Sequence, residues 1–466
     1  MTTPMPVQGG PAVPPRGRRV YLETYGCQMN VADSELVSSI LTNAGFELTE
    51  AADKAEIILL NTCAVREHAE ERVIGRASQL HGLRARTPNL TIGILGCMAQ
   101  HLAEKLPDRA PFVDLVMGPD SYRRLPQILA DTAEETLLDT RLSRDENYLG
   151  LAPVRREGTN AWVTAIRGCD KFCTFCIVPF VRGRERSVDS AELLRQVRDI
   201  AAEDFREVTL LGQTVNSYDD GTVNFAGLLR AVASVDGIDR VRFTSPYPVD
   251  FTDEVIEAMA SVPEVCHSLH LPVQSAADSQ LEAMRRGYTI GQYRRLVGKL
   301  RAAMPDLALT TDVIVGFCGE SEGDFELTLD LMTEMRYDSA FMFKYSEREG
   351  TYAARKIPDD VPEEVKKQRL QRLIALQEAI SLEINQETIG GRVEVLVEGP
   401  SKRSDNNYGR SRQGKVVVFP QKAERNSLVY VDIGEASSHT LYGNLVEDGA
   451  AVAAPGDGIR NLTAAG

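Results

Sequence analysis

The sequence has no apolar run approaching the ~18 residues that a membrane-spanning helix needs. Residues 1–17 hold five prolines (Pro4, Pro6, Pro11, Pro14, Pro15) and no apolar segment. A secretory signal requires a stretch of about 7–15 such residues. Histidine is scarce: six in 466 residues, with no H-E-x-x-H pairing, which leaves no case for a zinc hydrolase. The eight cysteines are too few for a disulfide framework, and a chain this long buries its cores without staples. A net charge of −15 argues against general affinity for nucleic acid. The expectation is a cytoplasmic protein without membrane contact, in a reducing compartment where thiols serve as metal ligands or catalysts.

The composition is that of an ordinary globular chain, with 43% apolar and 26% charged residues, long enough for roughly three domains at about 150 residues each. Residues 1–17 read as a disordered tail. From 18 to 144, strand-like runs (Arg19–Thr24, Glu56–Asn61, Leu90–Leu95, Phe112–Met117) alternate with helical ones (Asp33–Ala44, Glu67–Leu83, Ala99–Leu106, Tyr122–Ala130), predicting an open parallel α/β domain. The polar segment 145–160 reads as a linker. Between 161 and 389 six strand candidates recur: Trp162–Ile166, Val208–Leu211, Val241–Thr244, Ser268–Pro272, Leu309–Val315 and Ala340–Tyr345. They predict a partial (β/α)6 barrel with its chemistry at the C-terminal strand ends. Asp189 followed by Glu192 marks a helix start, and Val361–Thr388 reads as a long helix. After Gly390–Gly391 the runs Val393–Val397, Val416–Phe419 and Leu428–Ile433 predict a small all-β module over 390–447, and 448–466 reads as a second disordered tail. That module carries 8 basic and 7 acidic residues, and its segment 401–415 is +4.

The densest chemical signal is Cys169-Asp-Lys-Phe-Cys173-Thr-Phe-Cys176, directly after the first barrel strand. Three thiols in one loop suit a soft metal centre. A four-iron cluster held by three thiolates keeps one iron open. A zinc site would want a fourth Cys or His nearby, and His68 and His267 are far off in sequence; zinc and chance clustering are the alternatives. A second triplet, Cys27, Cys63 and Cys97, is spread over the first domain. Each lies just past the end of a predicted parallel strand, the edge where open α/β sheets gather ligands. Buried structural cysteines are the alternative there.

The loop resembles the radical S-adenosylmethionine superfamily. With the N-terminal triplet and the β module, the chain resembles the methylthiotransferase family from about residue 18 to 447. Within it, Tyr25-Gly26-Cys27-Gln28-Met29-Asn30 is similar to the branch acting on an isopentenylated adenine, as are Asn61-Thr62-Cys63-Ala64-Val65-Arg66-Glu67, Leu211-Gly212-Gln213-Thr214-Val215-Asn216-Ser217-Tyr218 and His270-Leu271-Pro272-Val273-Gln274-Ser275.

The resemblance implies a transferase that puts a methylthio group on C2 of N6-dimethylallyladenosine at position 37 of tRNA. It implies two [4Fe-4S] clusters, one on Cys27, Cys63 and Cys97 and one on the catalytic Cys169, Cys173 and Cys176, with S-adenosyl-L-methionine as cosubstrate. One electron from the loop cluster would cleave the sulfonium to a 5′-deoxyadenosyl radical. Phe175, Gln213, Asn216, Ser245, Val315 and Gly316 are expected around the cosubstrate. Lys402, Arg403, Tyr408, Arg410 and Arg412, in the part resembling the RNA-binding TRAM module, are expected on RNA. The expected partners are a tRNA anticodon stem-loop, a flavodoxin- or ferredoxin-like electron donor and a sulfur-delivery protein, with the enzyme a monomer. A different target (a ribosomal-protein aspartate or threonylcarbamoyladenosine in tRNA) and a non-catalytic RNA-binding iron–sulfur sensor remain open. One departure stands out: the family's G-F-P-G-E reads Gly316-Phe317-Cys318-Gly319-Glu320 here, expected to be a tolerated loop change, with a fourth cluster ligand or a redox role for Cys318 as the alternative. Cys266 is expected to be a packing residue.

Overall fold

A computed structural model describes residues 17–64, 67–130, 136–155, 158–401 and 405–446, with the side chains of 67–69 left aside. The two expected tails, Val65, Arg66, Lys402 and Arg403 lie outside the described residues, apart from Gly17.

The first domain runs β1 (Arg19–Thr24), α1 (Gln28–Asn43), β2 (Glu47–Leu48), β3 (Ile57–Thr62), α2 (Glu67–His81), β4 (Thr91–Gly96), α3 (Cys97–Leu102), α4 (Leu106–Arg109), β5 (Leu115–Met117), α5 (Leu125–Ala130) and β6 (Leu137–Asp139). Its six strands form one parallel sheet in the order β2-β1-β3-β4-β5-β6. Helices cover both faces, so β3 is buried throughout. Ile57 and Leu59 pack with Leu36 and Leu41 of α1, while Ile58 and Leu60 pack with Val73 and Ala77 of α2. The order reverses between β1 and β3, which opens a crevice at their C-terminal ends. The polar segment expected as a linker is held down: Tyr148 is buried, and its hydroxyl donates to the Pro119 carbonyl at 2.7 Å.

The second domain runs β7 (Asn160–Thr164), β8 (Ile166–Arg167), α6 (Val178–Arg182), β9 (Arg186–Ser187), α7 (Ser190–Ala202), β10 (Glu207–Leu211), α8 (Phe225–Ala233), β11 (Arg240–Phe243), α9 (Asp253–Ser261), β12 (Ser268–His270), α10 (Asp278–Ala283), α11 (Ile290–Ala303), β13 (Ala308–Val315), α12 (Glu322–Met335), β14 (Ser339–Lys344), α13 (Tyr352–Lys356) and α14 (Glu363–Gln386). Two parallel three-stranded sheets, β7-β10-β11 and β12-β13-β14, are joined by a single bridge between Val241 and Val265. One large apolar core fills the arc and reaches its helices. The Asp189 cap is present, its carboxylate accepting from the Glu192 N–H at 3.0 Å.

The last unit is a closed five-stranded barrel of β15 (Arg392–Pro400), β16 (Asn407–Ser411), β17 (Val416–Phe419), β18 (Leu428–Ala436) and β19 (Thr440–Leu445), ordered β15-β16-β17-β19-β18. Two of its strands, β16 and β19, are absent from the sequence expectation. Each carries a glycine at a tight crossing: a Cβ on Gly409 would come within 2.1 Å of the Leu396 carbonyl, and one on Gly443 within 2.2 Å of the Asp432 carbonyl. The residues that look like breakers are those that let the small barrel close.

Candidate active site

The loop after β7 and β8 carries three thiols in eight residues. Gly168 opens it at φ +79°, where a Cβ would strike the Arg184 carbonyl at 2.0 Å. The Cys169 N–H donates to the Gly183 carbonyl at 3.1 Å, and the Cys176 N–H to the Cys173 carbonyl at 3.0 Å. Thr174 ties the loop to the end of α10 through the Met284 and Ala283 carbonyls. Cys169 and Cys173 are buried and Cys176 half-buried. Burial pushes the Cys169 thiol up to about 11 and the Cys176 thiol to about 12. Dry thiols of this kind become thiolates when a metal takes their charge. Two donors already face the sulfurs: the Lys171 N–H at 3.5 Å from Cys169 and Arg286 Nη1 at 3.4 Å from Cys173. Arg286 is held by the Pro272 carbonyl and the Tyr288 hydroxyl and lies over the Tyr247 ring. It carries no motif that could have announced it.

The N-terminal triad is assembled by topology. Cys27 caps α1 after β1, Cys63 follows β3, and Cys97 opens α3 after β4; these strands are neighbours. The Cys27 and Cys63 thiols are hydrogen-bonded, and with the Arg182 charge this bond brings Cys27 down to about 6. Gly26 packs against Cys63, where a Cβ would lie 2.5 Å from the Cys63 Cβ. The Asn61 amide donates to the Asn30 carbonyl and to the Ser34 hydroxyl, both at 2.9 Å. The asparagines of the two motifs therefore brace the loops that carry Cys27 and Cys63. Among the described residues, no three thiol, imidazole or carboxylate groups close to the distances of a single metal ion. A cluster needs a wider triangle, because each thiolate binds a different iron.

The two triads share a wall. Helix α6 begins two residues after Cys176, and its Ile177 and Val181 neighbours pack on Cys97 and Ala64. Its last residue, Arg182, donates from Nε to the Cys97 sulfur at 3.0 Å. Arg182 and Arg167 both pair with the fully buried Asp33, at 2.8 and 3.1 Å. Arg186 pairs with Asp120 at 3.0 Å, and Met29 packs with Leu211 and Trp162. At the rim Arg348 bonds Glu70. The C-terminal edges of the sheet and of the arc thus close on one inter-domain space.

The expected cosubstrate residues sit at the strand exits of the arc, with different fates. Phe175 is half-buried, edge-on to Phe317 with ring centroids 6.3 Å apart. Gln213 follows β10 with a buried Oε1 that has no hydrogen-bond partner. Asn216 has both ends of its amide bonded to the backbone of Tyr247, at 2.6 and 2.9 Å, so it fixes the loop after β11. Ser245 adopts φ +57° and Gln274, also with an unpartnered Oε1, φ +69°. Residues in the left-handed region thus stand on two adjacent strand exits. Val315 is fully buried; Gly316 (φ +68°) donates its N–H to Glu320 at 2.6 Å, and a Cβ there would meet Lys366 at 2.4 Å. Cys318 is buried among Phe317, Tyr345 and Ala353, with its thiol 3.8 Å from the Ile357 carbonyl; Cys266 is buried as well.

Comparison with known proteins agrees with this geometry. Uncharacterized protein family UPF0004 matches residues 19–118, the radical SAM superfamily 163–332 and the TRAM domain 386–446. The chain is 49% identical to the tRNA-2-methylthio-N(6)-dimethylallyladenosine synthase of Porphyromonas gingivalis W83 over 442 residues, which cover 92% of this chain and 95% of that one. It is 47% identical to the synthase of the same name from Chloroherpeton thalassium, over 91% of this chain and 96% of that one. The chain belongs to the tRNA-2-methylthio-N(6)-dimethylallyladenosine synthase family. At the level of fold, it overlays the radical S-adenosylmethionine methyltransferase TsrM from Kitasatospora setae, with a TM-score of 0.54 and 14% identity, over 72% of this chain and 77% of that one. Membership of the radical SAM superfamily implies S-adenosylmethionine and a [4Fe-4S] cluster, and the loop triad, dry and facing two donors, fits such a cluster.

The TRAM module of this synthase-family chain docks at the other end of the arc. Arg240 Nη1 donates to the Arg410 carbonyl at 2.7 Å, and Arg242 to the carbonyls of Ser411 and Arg412 at 2.8 and 2.9 Å. Arg412 bonds the Pro263 carbonyl, and Lys415 pairs with Asp338 at 2.6 Å. Arg240 opens β11 and Arg242 lies within it, and Pro263 and Asp338 precede β12 and β14, whereas the six triad cysteines follow strand exits. Residues 407–415 are therefore strand β16 and a docked turn rather than a free basic loop. Arg410 is half-exposed and pairs with Glu398 at 2.9 Å, and Tyr408 stands beside it on β16.

Proposed function

We propose that the chain transfers a methylthio group to C2 of N6-dimethylallyladenosine at position 37 of tRNA, giving 2-methylthio-N6-dimethylallyladenosine. Cys169, Cys173 and Cys176 would hold one [4Fe-4S] cluster, and Cys27, Cys63 and Cys97 a second. When bound, the loop cluster supplies the electron that cleaves S-adenosylmethionine, and the N-terminal one carries the sulfur to be transferred. The observation that supports this best is α6: one short helix runs from the loop triad to the N-terminal triad, so two thiol sets border one space. Met29, Trp162 and Leu211 wall that space with apolar surface and help to exclude water. Arg286 and Arg182 keep a cation beside each thiol set. Gln213 and Gln274 offer free carbonyl oxygens to the cosubstrate.

The RNA reading follows the same layout. Helix α14 touches Gly316 at one end through Lys366, and its Asn385 bonds Ser437 of the TRAM module at the other. Its 24 residues span about 36 Å at 1.5 Å per residue. Tyr408 and Arg410 therefore suit the stem of the RNA, and the target adenine enters at the far end. A cytoplasmic monomer served by a flavodoxin- or ferredoxin-like electron donor and a sulfur-delivery protein completes the proposal.

Nucleoside mass spectrometry of tRNA tests it. Cells lacking the protein should lose 2-methylthio-N6-dimethylallyladenosine and accumulate N6-dimethylallyladenosine. An unchanged nucleoside profile would refute the assignment.

A further inference from the structure

Arg182 belongs to the radical domain, yet its side chain ends in the N-terminal thiol triad. It is 4% exposed. Nε donates to the Cys97 sulfur at 3.0 Å, and Nη2 lies 2.8 Å from Asp33 Oδ2. Asp33 is shared with Arg167, which is equally buried. Two guanidinium groups thus meet one carboxylate in a dry interface. The nearby Arg186–Asp120 pair cancels itself, and the phenols of Tyr122 and Tyr148 are held protonated by burial. Arg167, Arg182 and Asp33 by themselves therefore sum to one positive charge, and it lies beside the thiols. Nη2 of Arg182 is engaged by the Asp33 carboxylate, and Nη1 makes no hydrogen bond.

Two buried cations that share one carboxylate, one of them with an unused donor, are costly unless a further anion meets them. The acceptor that Arg182 Nε bonds is a triad sulfur. A thiolate-ligated iron–sulfur cluster is an anionic assembly, and hydrogen bonds and charges at its sulfurs set its reduction potential. We propose that Arg182 is a positioning residue of the N-terminal cluster, holding Cys97 and stabilising the cluster's negative charge from across the domain boundary. The inference rests on the two-cluster reading above. It carries a consequence: the N-terminal centre is complete only when the radical domain is docked, because its cationic donor arrives on the helix that follows Cys176.

The plain structural role for Arg182 is domain glue through Asp33. Arg167 shares that role and touches no thiol, so it separates the two. The experiment uses the full chain with Cys169, Cys173 and Cys176 changed to Ala, reconstituted anaerobically, so that only the N-terminal centre is spectroscopically visible. Arg182→Met, Arg182→Lys and Arg167→Met are added singly, and iron content and an EPR-monitored potential are read. Removing the cation disfavours the more negative, reduced cluster. Arg182→Met should therefore cut the reduced-to-oxidised ratio about tenfold at fixed potential, a shift of about 59 mV downward for one electron. Arg182→Lys should shift it less, and Arg167→Met should leave it in place. Loss of iron in Arg182→Met alone, with Arg167→Met retaining it, also supports the proposal. Equal shifts in Arg182→Met and Arg167→Met, or none in either, overturn it. A parent protein that holds no iron before any arginine is changed overturns the two-cluster reading itself, and the two failures are thereby told apart.

Discussion

The two cysteine triads reach their sites by opposite routes. Cys169, Cys173 and Cys176 are neighbours in sequence, and a single loop pinned at Gly183 and Met284 brings them together. Cys27, Cys63 and Cys97 are neighbours only because β1, β3 and β4 are neighbours. The first triad is a local property of the chain. The second is a property of a fold, and of the docking of one domain on another. The first should survive changes elsewhere, whereas the second should be sensitive to the interface.

The largest effect expected is on the local triad. Replacing Cys169, Cys173 and Cys176 with Ala should abolish reductive cleavage of S-adenosylmethionine, measured by chromatography of the products after dithionite reduction. Cleavage at parental rate would dissolve the distinction between the triads. Asp33→Ala tests the interface. It strands Arg167 and Arg182 without their carboxylate, a loss of about 3–5 kcal/mol for breaking a buried ion pair. Denaturant titration should show that destabilisation, and iron analysis should show loss from the N-terminal site with the loop site retained. Equal loss from both would mean that the loop triad also depends on the interface.

The smallest effect is a difference in thiol chemistry. In iron-free protein Cys27 sits at about 6, below an ordinary thiol, because Cys63 and Arg182 favour its thiolate. Its alkylation should therefore rise as pH climbs through about 6 and level off by neutrality. Cys176, pushed to about 12 by burial, should stay unreactive until strongly alkaline pH. Mass-spectrometric mapping of iodoacetamide adducts reads both. Similar pH profiles at the two positions would contradict the electrostatic contrast.

The contrast also explains what the sequence makes legible. A triad set by spacing is readable directly. A triad set by topology becomes readable once the strand–helix alternation is recognised, since each thiol then falls at a strand exit. The continuous apolar run Ile57–Leu60 marks its strand because both faces are covered. Strands β16 and β19 escape notice because a glycine weakens a strand pattern, and Gly409 and Gly443 are here the crossings of a tight barrel. Arg182 and Arg286 leave no periodic or spacing signal; each is one arginine whose meaning comes from a partner 85 or 113 positions away. The basic segment 401–415 is ambiguous from composition, because charge cannot separate a side chain facing RNA from one docked on a neighbouring domain. Lys415 and Arg412 are of the second kind here.

Each thiol triad is held here to carry its own four-iron cluster. Iron and sulfide analysis of anaerobically reconstituted protein, side by side with the Cys27→Ala, Cys63→Ala, Cys97→Ala triple variant, tests it most directly. About eight irons are expected in the parent and about four in the variant, one [4Fe-4S] unit per triad. The variant should still cleave S-adenosylmethionine but transfer no methylthio group. An iron content that stays the same when the N-terminal cysteines are removed would contradict it.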